Sequence, residues 1–362
     1  MIRRASAALG LVAGIALTLP ARAGAFPGDL DPGAIRTVMR AAADWQLAQA
    51  VEPAGHWKLA VFYMGLASAA AVEGNEDYWE PLRVAGRALK WAPGPRPLHP
   101  DDQAVGQLYL ALYERERDPH MLRPMKELFD GMLAGERGIP WSWCDALFMA
   151  PPILAQLSRL TGDPRYLDFM AADWRVAAER LYDETHHLYY RDTRRRGRLE
   201  ENGRLMFWSR GNGWVLAALA RVLPLMPETH PDRAWFLAKY RDMAARVAAL
   251  QPADGLWRPG LLDPDSYRHP ESSGSALFFY GIARGVRAGL LDRADYEPVI
   301  RRAWAGLVGC VQPDGMVGFV QPPGAGPGPR VKPENTTPYG VGAFLLAAAE
   351  AYGLATDQQT KP

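Results

Sequence analysis

Cysteine and histidine are scarce in this chain of 362 residues. It contains two cysteines, Cys144 and Cys310, and seven histidines. Two cysteines cannot make a disulfide scaffold, so a buried free thiol is the favoured state of Cys144 and a single bridge is the alternative. His186 and His187 are adjacent rather than one helical turn apart, and the histidines show no zinc-ligand spacing. The sequence therefore predicts neither a metal nor a cofactor.

An excess of charge of either sign is also missing. The chain has 41 basic and 40 acidic residues, for a net charge of +1. A protein that binds nucleic acid needs a basic excess to neutralise phosphates, so nucleic acid is not expected as a partner. The one tight basic run, 194–196, is interpreted as part of a solvated loop. Phosphate-binding loops, dinucleotide fingerprints and the G-x-S-x-G elbow of serine hydrolases are absent as well.

Apolar runs long enough to span a membrane comfortably are also missing. Arg3 and Arg4 precede an apolar stretch at 7–20, which is followed by an A-x-A pattern that ends at Ala23. This order is typical of a secretory signal, with cleavage after Ala23 or, alternatively, after Ala25. The stretch is too short for a comfortable membrane span. We expect residues 1–23 to be a signal peptide and the mature protein to be exported without a membrane partner, to the periplasm in a Gram-negative source.

Helical periodicity dominates the remainder of the chain, and no segment shows sustained strict alternation. Apolar residues recur at three- and four-residue spacing in eleven segments, with 78–89 as a candidate for a twelfth. The eleven segments are 35–51, 57–72, 104–115, 121–133, 143–160, 166–181, 214–223, 233–250, 275–288, 295–311 and 341–352.

Short and long connectors alternate between these segments. Asp118-Pro119, Asp163-Pro164 and Asp292 each follow a helix end and can cap a new helix. Longer connectors contain Asp254-Gly255 and Asp314-Gly315, which predict tight turns with short β segments. Such alternation suits helical hairpins arranged in a ring, with functional loops at one end. We therefore expect an all-α fold, an (α/α)6 barrel, that residues 24–362 form as one domain.

One carboxylate lies in an apolar, aromatic segment where a charge is costly. The segment reads Trp141-Ser142-Trp143-Cys144-Asp145-Ala146-Leu147-Phe148-Met149-Ala150-Pro151-Pro152. A desolvated, unpaired Asp145 has a raised pKa and can donate a proton near neutral pH. The alternative is a structural carboxylate that bonds free backbone amides at a helix N-terminus.

A second segment places a guanidinium between two indoles. It reads Phe207-Trp208-Ser209-Arg210-Gly211-Asn212-Gly213-Trp214. The glycines permit close approach of a ligand, and a loop entering the following helix presents backbone amides to an anion. Arg210 can offer a bidentate fork to a carboxylate, with Asn212 and Trp214 as further ligand contacts. The alternative is an arginine that only stacks on tryptophan.

Two adjacent acids and several aromatic residues complete the candidate site. Asp101 and Asp102 form a good capping sequence before an apolar helix, and either both cap it or one of them serves a site. Sugars stack on aromatic faces, so some aromatic residues near predicted helix starts should line a cleft, although each singly is more commonly part of a core. These residues are Trp57, Trp143, Trp208, Trp257 and Tyr339.

Together these segments resemble glycoside hydrolase family 105, the unsaturated rhamnogalacturonyl hydrolases, and the related unsaturated glucuronyl hydrolases. The resemblance covers essentially the whole mature chain and implies an (α/α)6 barrel without a metal. The matching motifs are 143–152, Glu201-Asn202-Gly203 leading into 207–214, Asp101-Asp102 before Val105-Gly106-Gln107, and Glu271-Ser272-Ser273-Gly274.

The resemblance also implies an acidic substrate with a 4,5-unsaturated uronic acid at its non-reducing end, such as the unsaturated rhamnogalacturonan disaccharide that a lyase leaves. An acid protonates C4 of the vinyl ether, water adds at C5, and the resulting hemiketal opens and releases the next sugar. Asp145 would be the acid and base, and the family's second aspartate falls on Asp101 or Asp102. The family's substrate-binding and pocket-lining positions fall on Arg210, Trp214, Trp143 and Met149.

One departure from the family concerns the sugar next to the unsaturated one. Some members have a histidine after the aromatic pair that is Tyr189-Tyr190 here, and this chain has Arg191 at that position. Some also have a histidine before the Asp145 segment, where residues 137–140 contain none. Arg191 is therefore a candidate ligand contact, and rhamnose, galactose and other leaving sugars stay open.

Two other functions fit parts of the sequence. Another (α/α)6 enzyme, such as a sugar epimerase, needs histidine bases inside the barrel, and the few histidines lie mostly near proline, aspartate or charged loops. An exported, non-enzymatic protein that binds acidic oligosaccharides would use the same arginine and tryptophan but would not need Asp145.

Overall fold

The computed structural model describes residues 25–49, 54–135, 141–328 and 331–359. The expected signal peptide, 1–23, lies outside the described residues, and so do residues 136–140, which precede the Asp145 segment. In the part of the chain that is described, no helix is both long and apolar enough to cross a membrane.

The described residues form α-helices and one short antiparallel ladder. The helices are α1 (Pro32–Leu47), α2 (Trp57–Glu73), α3 (Glu76–Ala88), α4 (Pro100–Gln103), α5 (Gly106–Glu116), α6 (Pro119–Leu133), α7 (Ala146–Met149), α8 (Pro151–Thr161), α9 (Arg165–Leu181), α10 (Ser209–Val222), α11 (Arg233–Ala249), α12 (Ser272–Arg287), α13 (Arg293–Val308) and α14 (Pro338–Gln359). The ladder pairs β1 (Tyr182–Asp183) with β2 (Leu188–Tyr189).

The long helices form two concentric rings. Helices α2, α5, α8, α10, α12 and α14 each pack against the next, and α14 returns to α2 and closes the inner ring. Helices α1, α3, α6, α9, α11 and α13 pack outside this ring, which makes the expected (α/α)6 barrel. Because an outer helix runs back between consecutive inner helices, the inner six are parallel. Their N-termini therefore gather at one end, which we call the mouth of the barrel.

The two rings differ in how their sequences specify them. Every residue of α12 from Ser272 to Ala283 is buried, as befits a helix with neighbours on all sides. Four outer helices, α1, α3, α6 and α13, begin at polar caps that satisfy free backbone amides. The side chains of Asp31, Asn75, Asp118 and Asp292 each accept a backbone N–H in the first turn of the helix that follows.

The structure corrects two predicted helix boundaries near the mouth. The predicted helix 143–160 is broken into α7 and α8 at Ala150, because Pro151 and Pro152 have no N–H to continue the hydrogen-bond ladder. The predicted start at Trp214 is five residues late, since α10 begins at Ser209. Arg210 and Asn212 therefore lie in the first turn of a helix rather than in a loop before it.

Close packing of the inner ring depends on glycine where α2 meets α14. A Cβ on Gly65 would overlap the backbone of Gly342, and a Cβ on Gly342 would overlap the backbone of Val61. Backbone atoms cannot move aside as the end of a flexible side chain can. Glycine at both positions thus sets the distance between these two helices.

We predict that Gly65→Ala destabilises the protein by about 1–3 kcal/mol, because the added methyl group forces α2 and α14 apart. The free energy of unfolding in urea measures the effect. Ser68→Ala, in the same helix, is the matched control, because the Ser68 hydroxyl bonds only the Met64 carbonyl of its own helix. Equal stability of the Gly65 variant and the wild type would contradict this account of the ring.

Candidate active site

Asp145 lies at the mouth, directly before α7, but its side chain caps no helix. The side chain is 15% exposed, and Arg191 Nε lies 3.6 Å from its Oδ2. Burial raises the pKa of Asp145, although the positive charges of Arg191 and Arg210 act in the opposite direction. The structural alternative of a capping carboxylate therefore does not apply. The carboxyl has the environment of a proton donor.

Cys144 contributes to that environment from the adjacent position. It is buried and not disulfide-bonded, and burial raises the pKa of its thiol well above the usual value. The neutral thiol donates to Asp145 Oδ2 across 3.5 Å. A Cβ on Gly211 would lie 2.8 Å from the Cys144 sulfur, so glycine in the first turn of α10 makes room for this contact.

Of the two candidate acids, Asp101 is the one that interacts with Asp145. Burial and the charge of Asp145 raise the pKa of Asp101 to about 6. Its backbone N–H donates to Nδ1 of His99, and the His99 ring lies 5.2 Å from the ring of Trp143. Two carboxyl groups that repel each other retain a proton at higher pH than either would alone.

Asp102 has a different role. Its Oδ2 accepts from Arg96 Nε at 2.9 Å and from the Arg96 backbone N–H at 2.8 Å, and its Oδ1 accepts from Arg96 Nη2 at 3.0 Å. Burial acts to raise the pKa of Asp102, but these hydrogen bonds outweigh it and lower the pKa. The sequence left open which of the two acids is the second carboxyl of the site. The structure favours Asp101, because it interacts with Asp145, whereas Asp102 anchors the loop at Arg96.

Arg210 is more enclosed than its sequence pattern indicates. It is 1% exposed, and its guanidinium lies 4.6 Å from the ring of Trp208 and 5.0 Å from that of Tyr339. Nη1 donates to the Gln321 carbonyl at 2.6 Å and Nη2 to the Pro322 carbonyl at 3.1 Å. The expected bidentate fork for a ligand carboxylate is thus occupied by the backbone. Arg210 acts on the site through its charge, which is felt at Asp145.

Aromatic rings continue from Arg210 across the mouth. The Trp57 ring lies 4.8 Å from Tyr339 and 6.4 Å from Trp214, and the Trp214 ring lies 4.8 Å from Phe148. Trp57 is partly exposed and Trp214 is fully buried. The indole N–H of Trp214 has no hydrogen-bond partner among the described residues. Trp57 is the partly exposed member of this aromatic wall, so its ring is available to a sugar, while Trp214, Phe148 and Tyr339 pack behind it.

Two predicted ligand contacts have mainly structural surroundings. Asn212 is fully buried, and its side chain bonds both the N–H and the carbonyl of Tyr189 and the carbonyl of Trp208, so its amide holds β2 against α10. Met149 is 1% exposed and packs in the core at the end of α7. Trp143, by contrast, is partly exposed beside Asp145.

Two buried polar residues at the mouth were missed as site residues by reasoning from the sequence. Glu271 caps α12 through the N–H groups of Ser273 and Gly274, and it also accepts from the N–H of Gln321. The Gln321 side chain accepts from Trp208 Nε1 at 2.8 Å and donates to the Gly326 carbonyl at 3.0 Å. Both residues hold the segment whose carbonyls accept hydrogen bonds from Arg210. Gln321 lies in a Pro/Gly-rich stretch whose sequence shows no helical or strand pattern.

An acid with a raised pKa, beside arginines and an aromatic wall at the mouth of an (α/α)6 barrel, is the arrangement of a sugar-processing enzyme. Within the described residues, no group of three or more His, Cys, Asp or Glu side chains is arranged to hold a metal ion. The class that fold and site define is therefore the barrel-shaped glycoside hydrolases.

Comparison with known proteins identifies the family. The profile of Glycosyl Hydrolase Family 88 matches residues 34–355. Unsaturated 3S-rhamnoglycuronyl hydrolases of Formosa agariphila and Alteromonas sp. are 36% and 34% identical to this chain. These alignments cover 90% of this chain and 92% of the Formosa protein, and 87% of this chain and 85% of the Alteromonas protein.

A solved structure gives the same result. A glycosyl hydrolase family 88 protein from Bacteroides vulgatus is 30% identical, with a TM-score of 0.85 over 89% of this chain and 99% of that chain. The chain belongs to Glycosyl Hydrolase Family 88 and is a glycoside hydrolase. The motifs indicated a resemblance to the unsaturated glycuronyl hydrolases, and these comparisons confirm it.

We predict that Asp102→Asn destabilises the fold by about 1–2 kcal/mol at pH 7, because it weakens a buried charge-assisted contact to the half-exposed Arg96. The folded pKa of Asp102 is lowered, so its stabilising effect is present above the unfolded value of about 3.9 and is lost as the pH falls through the folded value. The difference in unfolding free energy between wild type and variant should therefore shrink below about pH 4.

The matched control is Asp163→Asn, which affects a solvent-screened aspartate–arginine pair with Arg165 and should have a much smaller effect. Urea unfolding at neutral and acidic pH measures both variants. An Asp102 effect that stays constant on acidification would contradict the assigned ion pair.

Proposed function

We propose that this hydrolase removes a 4,5-unsaturated uronic acid from the non-reducing end of oligosaccharides in which the next sugar is rhamnose. The observation that carries the proposal is the desolvated carboxyl of Asp145, which has Asp101 and Arg191 beside it and an aromatic wall across the same mouth. The names of the two similar hydrolases, which contain the term rhamnoglycuronyl, support the choice of sugars.

The chemistry follows from the polarity of the unsaturated sugar. Protonation of C4 by Asp145 places positive charge on C5, where the ring oxygen stabilises it. The carboxylate of Asp145 then takes a proton from the water that attacks C5, so the acid is restored. The hemiketal at C5 opens, and the next sugar leaves from C1. Arg191 and Arg210 favour the charged form of Asp145 that exists between the two proton transfers.

The proposed leaving sugar, rhamnose, is common to two substrate classes. Rhamnose attached to unsaturated glycuronyl units fits the relatives that are similar over most of the chain. The unsaturated rhamnogalacturonan disaccharide is the second candidate and also contains rhamnose. We further propose export of the mature protein to the periplasm, which mass determination of its N-terminus after expression in a Gram-negative host tests directly.

We predict that Asp145→Asn lowers kcat at least about 100-fold, because the amide cannot transfer a proton. Loss of ultraviolet absorbance by the conjugated uronate measures turnover, and calorimetry with the same oligosaccharide measures binding, which should be largely retained. A variant with a near-normal rate would contradict the role of Asp145. Wild type that binds the oligosaccharide without any loss of absorbance would instead support the non-enzymatic alternative.

We predict that Asp101→Asn moves the alkaline limb of the kcat/KM profile to lower pH. The two carboxyls repel each other, so the pair keeps a proton at higher pH than Asp145 alone does. With the repulsion removed, the proton needed for catalysis is lost at a lower pH. Initial rates between pH 4 and 9 measure the limb. An unchanged limb would show that Asp101 is not coupled to the acid.

A further inference from the structure

A cavity of about 680 Å³ opens at the mouth beside Asp102. Its walls are the end of α3 at 88–90, the residues before α2 at 54–56, and the loop 93–96. Outer helices end and inner helices begin at the mouth, so this cavity lies at the same end of the barrel as Asp145. The reaction proposed above does not use it.

The cavity adjoins the candidate active site on two sides. Arg96 lines the cavity, and its charge acts on the pKa of Asp101 in the direction opposite to that of the charge of Asp145. His56 lines the cavity as well, and Trp57, the next residue, belongs to the aromatic wall. The cavity therefore borders the surface on which a substrate of Asp145 would lie.

Positive charge predominates in this cavity. Lys90 and Arg96 line it, and Asp102 is the acid among the described lining residues. Both oxygens of Asp102 already accept hydrogen bonds from Arg96, through Nε and Nη2. Burial lowers the pKa of His56, so its ring is neutral near pH 7. Within the described residues, neither Arg96 Nη1 nor Lys90 Nζ makes a hydrogen bond, so two cationic donors of the wall are free.

The backbone at Lys90 has a conformation that residues with side chains rarely adopt. Lys90 and Trp91 have φ angles of 54° and 59°, in the left-handed region. The Trp91 ring lies where a Cβ on Gly86 would overlap it, and the Trp91 N–H donates to the Gly86 carbonyl at 3.0 Å. Packing of Trp91 thus stabilises a locally unfavourable turn that places Lys90 on the cavity wall.

We propose that this cavity binds the carboxylate of a second, saturated uronic acid in a longer oligosaccharide, through Lys90 and Arg96. The inference rests on the proposed function, since a lyase that leaves an unsaturated uronic acid acts on a polymer that contains uronic acids. In an alternating polymer, a fragment longer than the disaccharide has a further carboxylate beyond the leaving sugar. An ammonium group and a free guanidinium nitrogen stabilise such a carboxylate by charge-assisted hydrogen bonds.

The test compares three substrates. They are unsaturated uronyl-rhamnose, the tetrasaccharide in which a saturated uronic acid and a second rhamnose follow, and the same tetrasaccharide with its saturated uronate methyl-esterified. Lys90→Gln removes the positive charge from the cavity. Lys332→Gln is the matched control, because Lys332 is 58% exposed and lines a different cavity. Calorimetry with the two tetrasaccharides, on the Asp145→Asn background, measures binding without turnover.

The wild type is expected to have a kcat/KM roughly 3- to 10-fold higher on the tetrasaccharide than on its methyl ester or on the disaccharide, mostly through KM, because a charge-assisted hydrogen bond is added. Lys90→Gln should remove this preference while it leaves kcat/KM on the disaccharide unchanged. Lys332→Gln should resemble the wild type on all three substrates.

Lys90→Gly separates binding from stability. Glycine adopts a φ of 54° without strain, so the free energy of unfolding of this variant should be no lower than that of the wild type. The variant should nevertheless lose the preference for the tetrasaccharide, as Lys90→Gln does. A Lys90→Gly variant that keeps the preference would overturn the role given to the ammonium group.

Equal kcat/KM of the wild type on the tetrasaccharide and its methyl ester would overturn the proposal and leave the proposed reaction intact. So would equal losses in the Lys90→Gln and Lys332→Gln variants, since a general effect of net charge would then explain both. If none of the substrates is turned over but calorimetry shows a preference for the free carboxylate that Lys90→Gln removes, the reaction fails while the carboxylate site stands.

Discussion

The rest of the site depends on the burial of one carboxyl group, that of Asp145, whose pKa is raised by burial. Asp145 has a thiol at 3.5 Å and a guanidinium at 3.6 Å, and neither replaces the water that a carboxylate loses on burial. The protein tolerates this because protonation removes the charge. The same property makes the group an acid that can give its proton to carbon, and Arg191 and Arg210 keep the ionised form accessible.

The residues around Asp145 fix the shape of its surroundings by hydrogen bonds among themselves. The two terminal nitrogens of Arg210 donate to the carbonyls of Gln321 and Pro322. Glu271, at the start of α12, accepts a hydrogen bond from the N–H of Gln321. This network joins α10 and α12 to the segment that leads into α14. The three helices are neighbours in the inner ring. Hydrogen bonds between a buried charge and backbone groups are costly to break, so this network fixes the shape of the mouth. Trp57, the partly exposed member of the aromatic wall, then stays accessible to a ligand.

Much of this arrangement could be predicted from the sequence, and the limits have physical causes. The spacing of apolar residues is local information, so it indicated eleven helices, a candidate for a twelfth and the barrel, and the desolvated position of Asp145 followed from its apolar neighbours. The choice between Asp101 and Asp102 could not be made, because it depends on how the loop turns Arg96 back onto Asp102 and on the approach of Asp101 to Asp145 across the fold. The carbonyl partners of Arg210, more than a hundred residues away in the chain, are invisible to local patterns. Arginines 194–196, interpreted together as a solvated run, separate into the exposed Arg194 and the partly buried Arg195.

The central claim is that Asp145 protonates C4 of the substrate, and the most direct test is the reaction in deuterium oxide. Proton and deuterium NMR of the first product formed shows where the solvent hydrogen enters. Delivery from a fixed carboxyl predicts deuterium on one face of C4 only, at early times before the ketone exchanges. Deuterium distributed equally between the two C4 positions would contradict the account, because solvent rather than a fixed carboxyl would then have protonated an enol released by earlier cleavage at C1. Absence of deuterium from C4 would contradict it as well, because C4 would then not have been protonated at all.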